Sequence, residues 1–268
     1  MYRENVVAGR LSIGAAWVEA ANFVRRERRL IAPVVLAFIV VPAVIAELVK
    51  PSAAVGTQPE PGGWSLIVLA SLLIGMVGQL AIMRLAMGWD GPIGGALKLA
   101  LRRFWAALGA LLLFGLLFGL VTVPLVVILT LLSGSGTTSA TNRITLLLIL
   151  VVFAVMPRIL PVTAVAMARE GGPWRMLKDT VQLTRGNYGR LLAFFVLFLL
   201  ASFALAAAVT VAFGSATALV LGPPAPMTVS RLIVALAAGL VQGVVLSLYA
   251  AMTGRITLQL LDGSIKGT

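Results

Sequence analysis

Residues 107–132 read ALGALLLFGLLFGLVTVPLVVILTLL, a run with no charge and no side chain more polar than threonine. A bilayer core about 30 Å thick needs about 20 apolar residues of helix to cross it. The run is long enough and shows no period-two alternation, so it predicts a membrane helix rather than a barrel strand. Five other stretches pass the same test, near Leu30–Val49, Trp64–Met87, Ile144–Met167, Leu191–Phe213 and Leu232–Met252. The expected fold class is all-α integral membrane, a single membrane domain over residues 1–268 with six transmembrane helices. The first stretch is too long, and too charged upstream, for a signal peptide, and it reads as a retained helix.

Composition agrees with this and excludes much chemistry. Of 268 residues, 60% are hydrophobic and 11% charged, where a soluble domain has about 45–50% and 25%. The chain has no Cys and no His, which removes thiol and imidazole nucleophiles, the Ser-His triad and ordinary zinc or haem ligation. Nine acidic residues supply few carboxylate pairs. The expectation is a protein that is not an enzyme, with no catalytic residue, no metal site and no cofactor.

The net charge of +12 acquires meaning from its placement. Sixteen of the 21 Lys and Arg lie in residues 1–29, 88–106, 168–190 and 253–268. Residues 50–63, 133–143 and 214–231 carry one each, and Arg84 and Arg158 fall inside spans. The positive-inside rule then puts both termini and the basic connections in the cytoplasm of a bacterial-type inner membrane, as a multi-pass protein. Trp17, Trp89, Trp105 and Trp174 mark the same face, and Pro51–Gly63, Ser133–Arg143 and Gly214–Arg231 read as short outer loops. Such a basic inner face suits anionic lipid headgroups rather than nucleic acid. Membrane lipids, together with a separate protein partner, are the expected partners.

The connections share a pattern. The second span ends Leu85-Ala86-Met87-Gly88-Trp89-Asp90-Gly91-Pro92, the fourth Val165-Ala166-Met167-Ala168-Arg169-Glu170-Gly171-Gly172-Pro173, and the sixth Ala250-Ala251-Met252-Thr253-Gly254-Arg255. Amphipathic segments follow the first two. Ile93, Leu97, Leu101, Phe104 and Leu108 form one apolar face against Lys98 and Arg102. Trp174, Leu177 and Val181 form a shorter one against Arg175, Asp179 and Gln182, with Thr184 where the next apolar residue was due. Leu11–Val24 occupies the equivalent place at the start, and Val41-Pro42-Ala43-Val44 matches Val123-Pro124-Leu125-Val126. The spacing predicts three helix-pair repeats, at about 8–92, 93–173 and 174–268, with basic interfacial helices on the cytoplasmic side.

Strong polar groups inside spans are the functional candidates. Counted back from the shared Met, Gln79, Arg158 and Gln242 fall at similar depth, roughly 12–15 Å from the inner end. They form the candidate intramembrane cluster, with Arg84 and Tyr249 as its candidate inner mouth. Arg158 lies between Pro157 and Pro161, which free backbone carbonyls, and it is expected to face the bundle interior. Two readings stand: a buried network that fixes helix register, or the lining of a cavity for an anionic or amphiphilic ligand. Glu47 reads as an interfacial charge near Lys50. Gly115-x-x-x-Gly119 and Gly239-x-x-x-Gly243 both fit close helix packing.

Arg102-Arg103-Phe104-Trp105, Arg158-x-x-Pro161 and Glu170-Gly-Gly-Pro … Leu177-Lys178 … Leu183-Thr-Arg-Gly186, set in six helices, resemble the membrane-domain family of glycerophosphoryl diester phosphodiesterases. The resemblance covers nearly the whole chain. It implies the six-helix topology and a link to membrane lipid or envelope physiology. It implies no catalysis, because the soluble catalytic domain of fused members is absent from this sequence. The function expected is binding or helping to move a lipid or other amphiphile. The alternative is a small-solute or anion transporter or channel with its pathway around Arg158.

Overall fold

The structure is a computed structural model that describes residues 11–51, 60, 62–132, 138–222 and 228–265, and only the backbone of residues 132, 138–144 and 262–265. The described residues are helical throughout, with no strand among them. In order they form α1 (Ile13–Arg26), α2 (Arg28–Val35), a π-helical turn (Leu36–Val40), α3 (Val41–Val49), α4 (Gly63–Ala86) and α5 (Ile93–Leu132). There follow α6 (Thr138–Ile159), α7 (Val162–Ala168), α8 (Pro173–Leu183), α9 (Tyr188–Leu221) and α10 (Val229–Ile265). Six helical segments are long and apolar enough to cross a membrane, and they coincide with the six stretches read from the sequence.

Helix ends follow the breakers. The expected interfacial segment after Pro92 is helical but continuous with the third span, giving one 40-residue helix, about 60 Å long. Nothing between Lys98 and Ala107 interrupts it, since Leu, Ala, Arg and Lys all favour helix. The segment after Pro173 stays separate because Gly186, at φ +83°, takes the chain through a left-handed turn before α9. The fifth and sixth spans run on to Leu221 and Ile265, and α10 starts at Val229, so helix covers much of the stretch 214–231 that was expected to be an outer loop. Much of the first outer loop, residues 133–137 of the second, and the first residues of the first repeat lie outside the described residues.

By contacts the chain forms two compact units. One comprises Met1–Ile13, Trp105–Phe195 and Ile256–Thr268, the other Gly14–Phe104 and Val196–Arg255. In the second unit, small residues let helices approach closely. A Cβ on Gly78 would stand 2.6 Å from Phe38 Cβ, on the π-helical turn that precedes Pro42. Gly239 lies against Val40 and Val44, and Gly243 against Val35 and Val40, so this glycine pair seats α10 on the first span. Gly254 lies 3.2 Å, at Cβ distance, from the Met83 carbonyl oxygen on α4. Gly115 and Gly119, expected to behave alike, meet nothing within 4 Å.

Burial runs opposite to a soluble core. In the most apolar windows of α5 and α9 only 6% of residues are buried, against 33% in the first two spans. Leu116, Leu120, Phe203 and Leu219 are exposed, which is stable where acyl chains replace water. The buried face of α5 is Ala96, Ala100, Phe104 and Ala107, whereas Leu101 is 52% exposed. On α8, Met176, Leu177 and Thr180 are buried and Trp174 is exposed, and Thr184, just past its end, is buried too. Thr180 and Thr184 tolerate this because their hydroxyls donate to the Met176 and Val181 carbonyls, at 2.7 and 3.1 Å.

Arg231 is a buried fixture that the sequence reading passed over as a loop charge. Its guanidinium donates to the Lys50 carbonyl at 2.6 Å and pairs with Glu47 at 3.5 Å. The Arg231 side chain is 9% exposed and that of Glu47 51%. Arg231→Gln should therefore destabilise by about 1.5–3 kcal/mol, the value of a charged hydrogen bond. Glu47→Gln should change stability by less than about 1 kcal/mol, as for an exposed pair. Reversible unfolding of the two variants in detergent measures both, and equal effects would contradict the assignment.

Candidate functional site

Pro157 and Pro161 shape the end of the fourth span. Neither has an N–H to donate, and the helix breaks at Leu160–Pro161, so that α6 ends at Ile159 and α7 starts at Val162. Arg158 therefore sits in the last turn of α6. Its side chain is exposed rather than turned into the interior, and its guanidinium carbon lies 5.3 Å from the centroid of the Tyr188 ring. Tyr188 opens α9, which places Arg158 beside the start of the fifth span and not beside its middle.

Tyr188 is held from both ends. Its hydroxyl donates to the Ala154 carbonyl at 2.9 Å, one turn before Arg158. Its backbone follows a tight turn in which the Arg185 and Asn187 amides donate to the Gln182 and Thr184 carbonyls. The Leu191 amide then donates to the Asn187 carbonyl, which starts α9. The turn depends on Gly186, whose φ of +83° is strained for any L side chain.

Arg158, Val181, Thr184, Arg185, Gly186 and Tyr188 enclose a cavity of about 290 Å³, near the lower limit of small-molecule sites. Two of its lining residues are arginines and none is acidic. Among the described residues neither arginine pairs with a carboxylate, while Asp179, on the neighbouring α8, is engaged by Arg169 at 3.4 Å. The N-terminal end of α9 adds the positive end of a helix dipole. Two guanidiniums and a helix N-terminus around one small cavity can hold an anion, most effectively one with two oxygens for a guanidinium fork.

The other sequence-derived candidates belong to the second unit. Gln79 is half-buried and Gln242 exposed, and neither has a hydrogen-bond partner among the described residues. Arg84 is half-buried, with its guanidinium carbon 5.1 Å from the Trp89 centroid. Tyr249 packs against Phe198 in a tilted ring pair with centroids 5.3 Å apart. Neither unit by itself assembles Gln79, Arg158 and Gln242. What the sequence reading missed is Tyr188 as the partner of Arg158 and Thr184 as part of the same cavity wall. The one signal was the polar run Arg185-Gly-Asn-Tyr-Gly-Arg190 at the mouth of an apolar span.

Comparison with protein-family models, with curated proteins and with solved structures returns no match.

Proposed function

We propose that this chain is a non-enzymatic, multi-pass inner-membrane protein that binds the anionic headgroup of a lipid or other amphiphile between Arg158 and Arg185. The observation that carries this reading is the carboxylate-free cavity lined by those two arginines and Tyr188. With both termini cytoplasmic, the start of α9 lies at the inner leaflet, where anionic headgroups concentrate. Arg158, Thr184, Arg185 and Gly186, which belong to the motifs that carry the resemblance to the phosphodiesterase membrane domains, also line the cavity. That coincidence supports a role in membrane lipid or envelope physiology, alone or with a protein partner.

The proposed three-repeat organisation draws support from one shared feature. Ala86, Ala166 and Ala251, the alanines of the three Ala-Met pairs, are each 0% exposed. The repeat also has limits as a template, since Pro42 is buried behind the π-helical turn while Pro124 is exposed within a continuous α5.

Arg158 serves equally in the alternative, a solute or anion pathway, and flux separates the two. Purified protein in liposomes should retain anionic lipid through purification and show no saturable flux of chloride, phosphate or small carboxylates. Saturable flux that disappears in Arg158→Gln would replace the headgroup reading with the transporter.

A further inference from the structure

The α4–α5 connection carries a second arginine–aromatic pair, built more tightly than the first. Arg84, in the last turn of α4, lies over the Trp89 indole at 5.1 Å. The indole cannot move far: its Nε1 donates to the Pro92 carbonyl at 3.2 Å. A Cβ on Gly91 or Gly95 would come within 2.8 or 2.9 Å of the ring. Gly88, at φ +88°, supplies the left-handed turn that brings the indole back to the helix end. The C-terminal end of α4 favours a cation through its dipole, so position and platform both fix a charged guanidinium there.

One atom is left unmatched. Arg84 Nε is fully buried and has no hydrogen-bond acceptor. Among the described residues no carboxylate pairs with Arg84 at all. Guanidinium does not shed its proton, and a buried charged donor without an acceptor is strongly unfavourable. An outside ligand reaches this half-buried side chain through its Nη groups, and a phosphate group has oxygens spaced for such a guanidinium fork.

We propose that Arg84, on its Trp89 platform, is a second anion site that takes one phosphate group, either from a lipid headgroup or as free phosphate. It shares ligand chemistry with the Arg158–Arg185 cavity but none of its residues, so either site can fail alone. The test uses the full-length protein, stripped of lipid in detergent and titrated by native mass spectrometry. The probes are dihexanoyl phosphatidic acid, inorganic phosphate and dihexanoyl phosphatidylcholine. One binding event should weaken about ten-fold or more in Arg84→Gln, and also in Arg84→Lys, which keeps the charge but lacks the planar fork. Trp89→Phe should retain that event and Trp89→Leu should weaken it, while the Arg158→Gln/Arg185→Gln protein keeps it. Binding of phosphatidic acid alone identifies a lipid headgroup; equal binding of inorganic phosphate identifies the free ion. Unchanged affinity and stoichiometry for both phosphate probes in folded Arg84→Gln and Arg84→Lys would overturn the proposal.

Discussion

Gly243→Leu is expected to destabilise the protein by about 3 kcal/mol or more, whereas Gly115→Leu should be neutral or slightly stabilising. Both glycines belong to identical Gly-x-x-x-Gly motifs in apolar helices. At Gly243 even a Cβ would come within 2.7 Å of Val35 Cγ1 and 3.0 Å of Val40 Cγ2. These are methyl groups of β-branched residues, which have few alternative rotamers to yield into. Leucine adds three further carbons at that position, so the first span and α10 must separate. At Gly115 nothing lies within 4 Å, and leucine there meets open space while gaining about 1 kcal/mol of helix propensity. Unfolding in bicelles measures both, and a Gly243→Leu protein within about 0.5 kcal/mol of the parent would refute the packing described.

In the Arg158 cavity, Arg158→Gln and Arg185→Gln should each weaken binding of an anionic headgroup about ten-fold or more, and the double variant more than either alone. The two groups face one cavity, so their effects need not add. Tyr188 separates a structural contribution from a binding one. Tyr188→Phe removes the hydrogen bond to Ala154, worth about 1 kcal/mol of stability, but keeps the ring under Arg158, and affinity should hold within a few-fold. Tyr188→Leu removes the ring too and should weaken binding further. Raising salt should weaken the parent more than the double variant, because fewer fixed charges then remain to be screened.

The six spans were legible because a span is a matter of length and composition, which Ala107–Leu132 displays without help from neighbours. Which side of each helix is buried was not legible. Lipid is as apolar as leucine, so hydrophobic periodicity does not point inward. On the faces read as apolar, Phe104 and Leu177 are buried but Leu101 and Trp174 are exposed, and Ala96, Ala100, Thr180 and Thr184 are buried as well. Arg158 could be singled out from its cost inside a membrane helix, but Tyr188 could not. Their meeting depends on the break at Leu160–Pro161 and the left-handed turn at Gly186, acting together over thirty residues. Arg231 was missed because its acceptor is a backbone carbonyl on another span, and backbone carries no sequence signal. The two glycine motifs read identically, and only the structure distinguishes the packed pair from the open one.

The central claim is that a carboxylate-free arginine pocket selects an anionic headgroup. Its most direct measurement is native mass spectrometry of protein released from nanodiscs containing equal amounts of phosphatidylglycerol and phosphatidylcholine. The parent should emerge enriched in phosphatidylglycerol, and the Arg158→Gln/Arg185→Gln protein should lose one retained anionic lipid per chain. Equal retention of the two lipids by the parent, or an unchanged count in the folded double variant, would contradict the account.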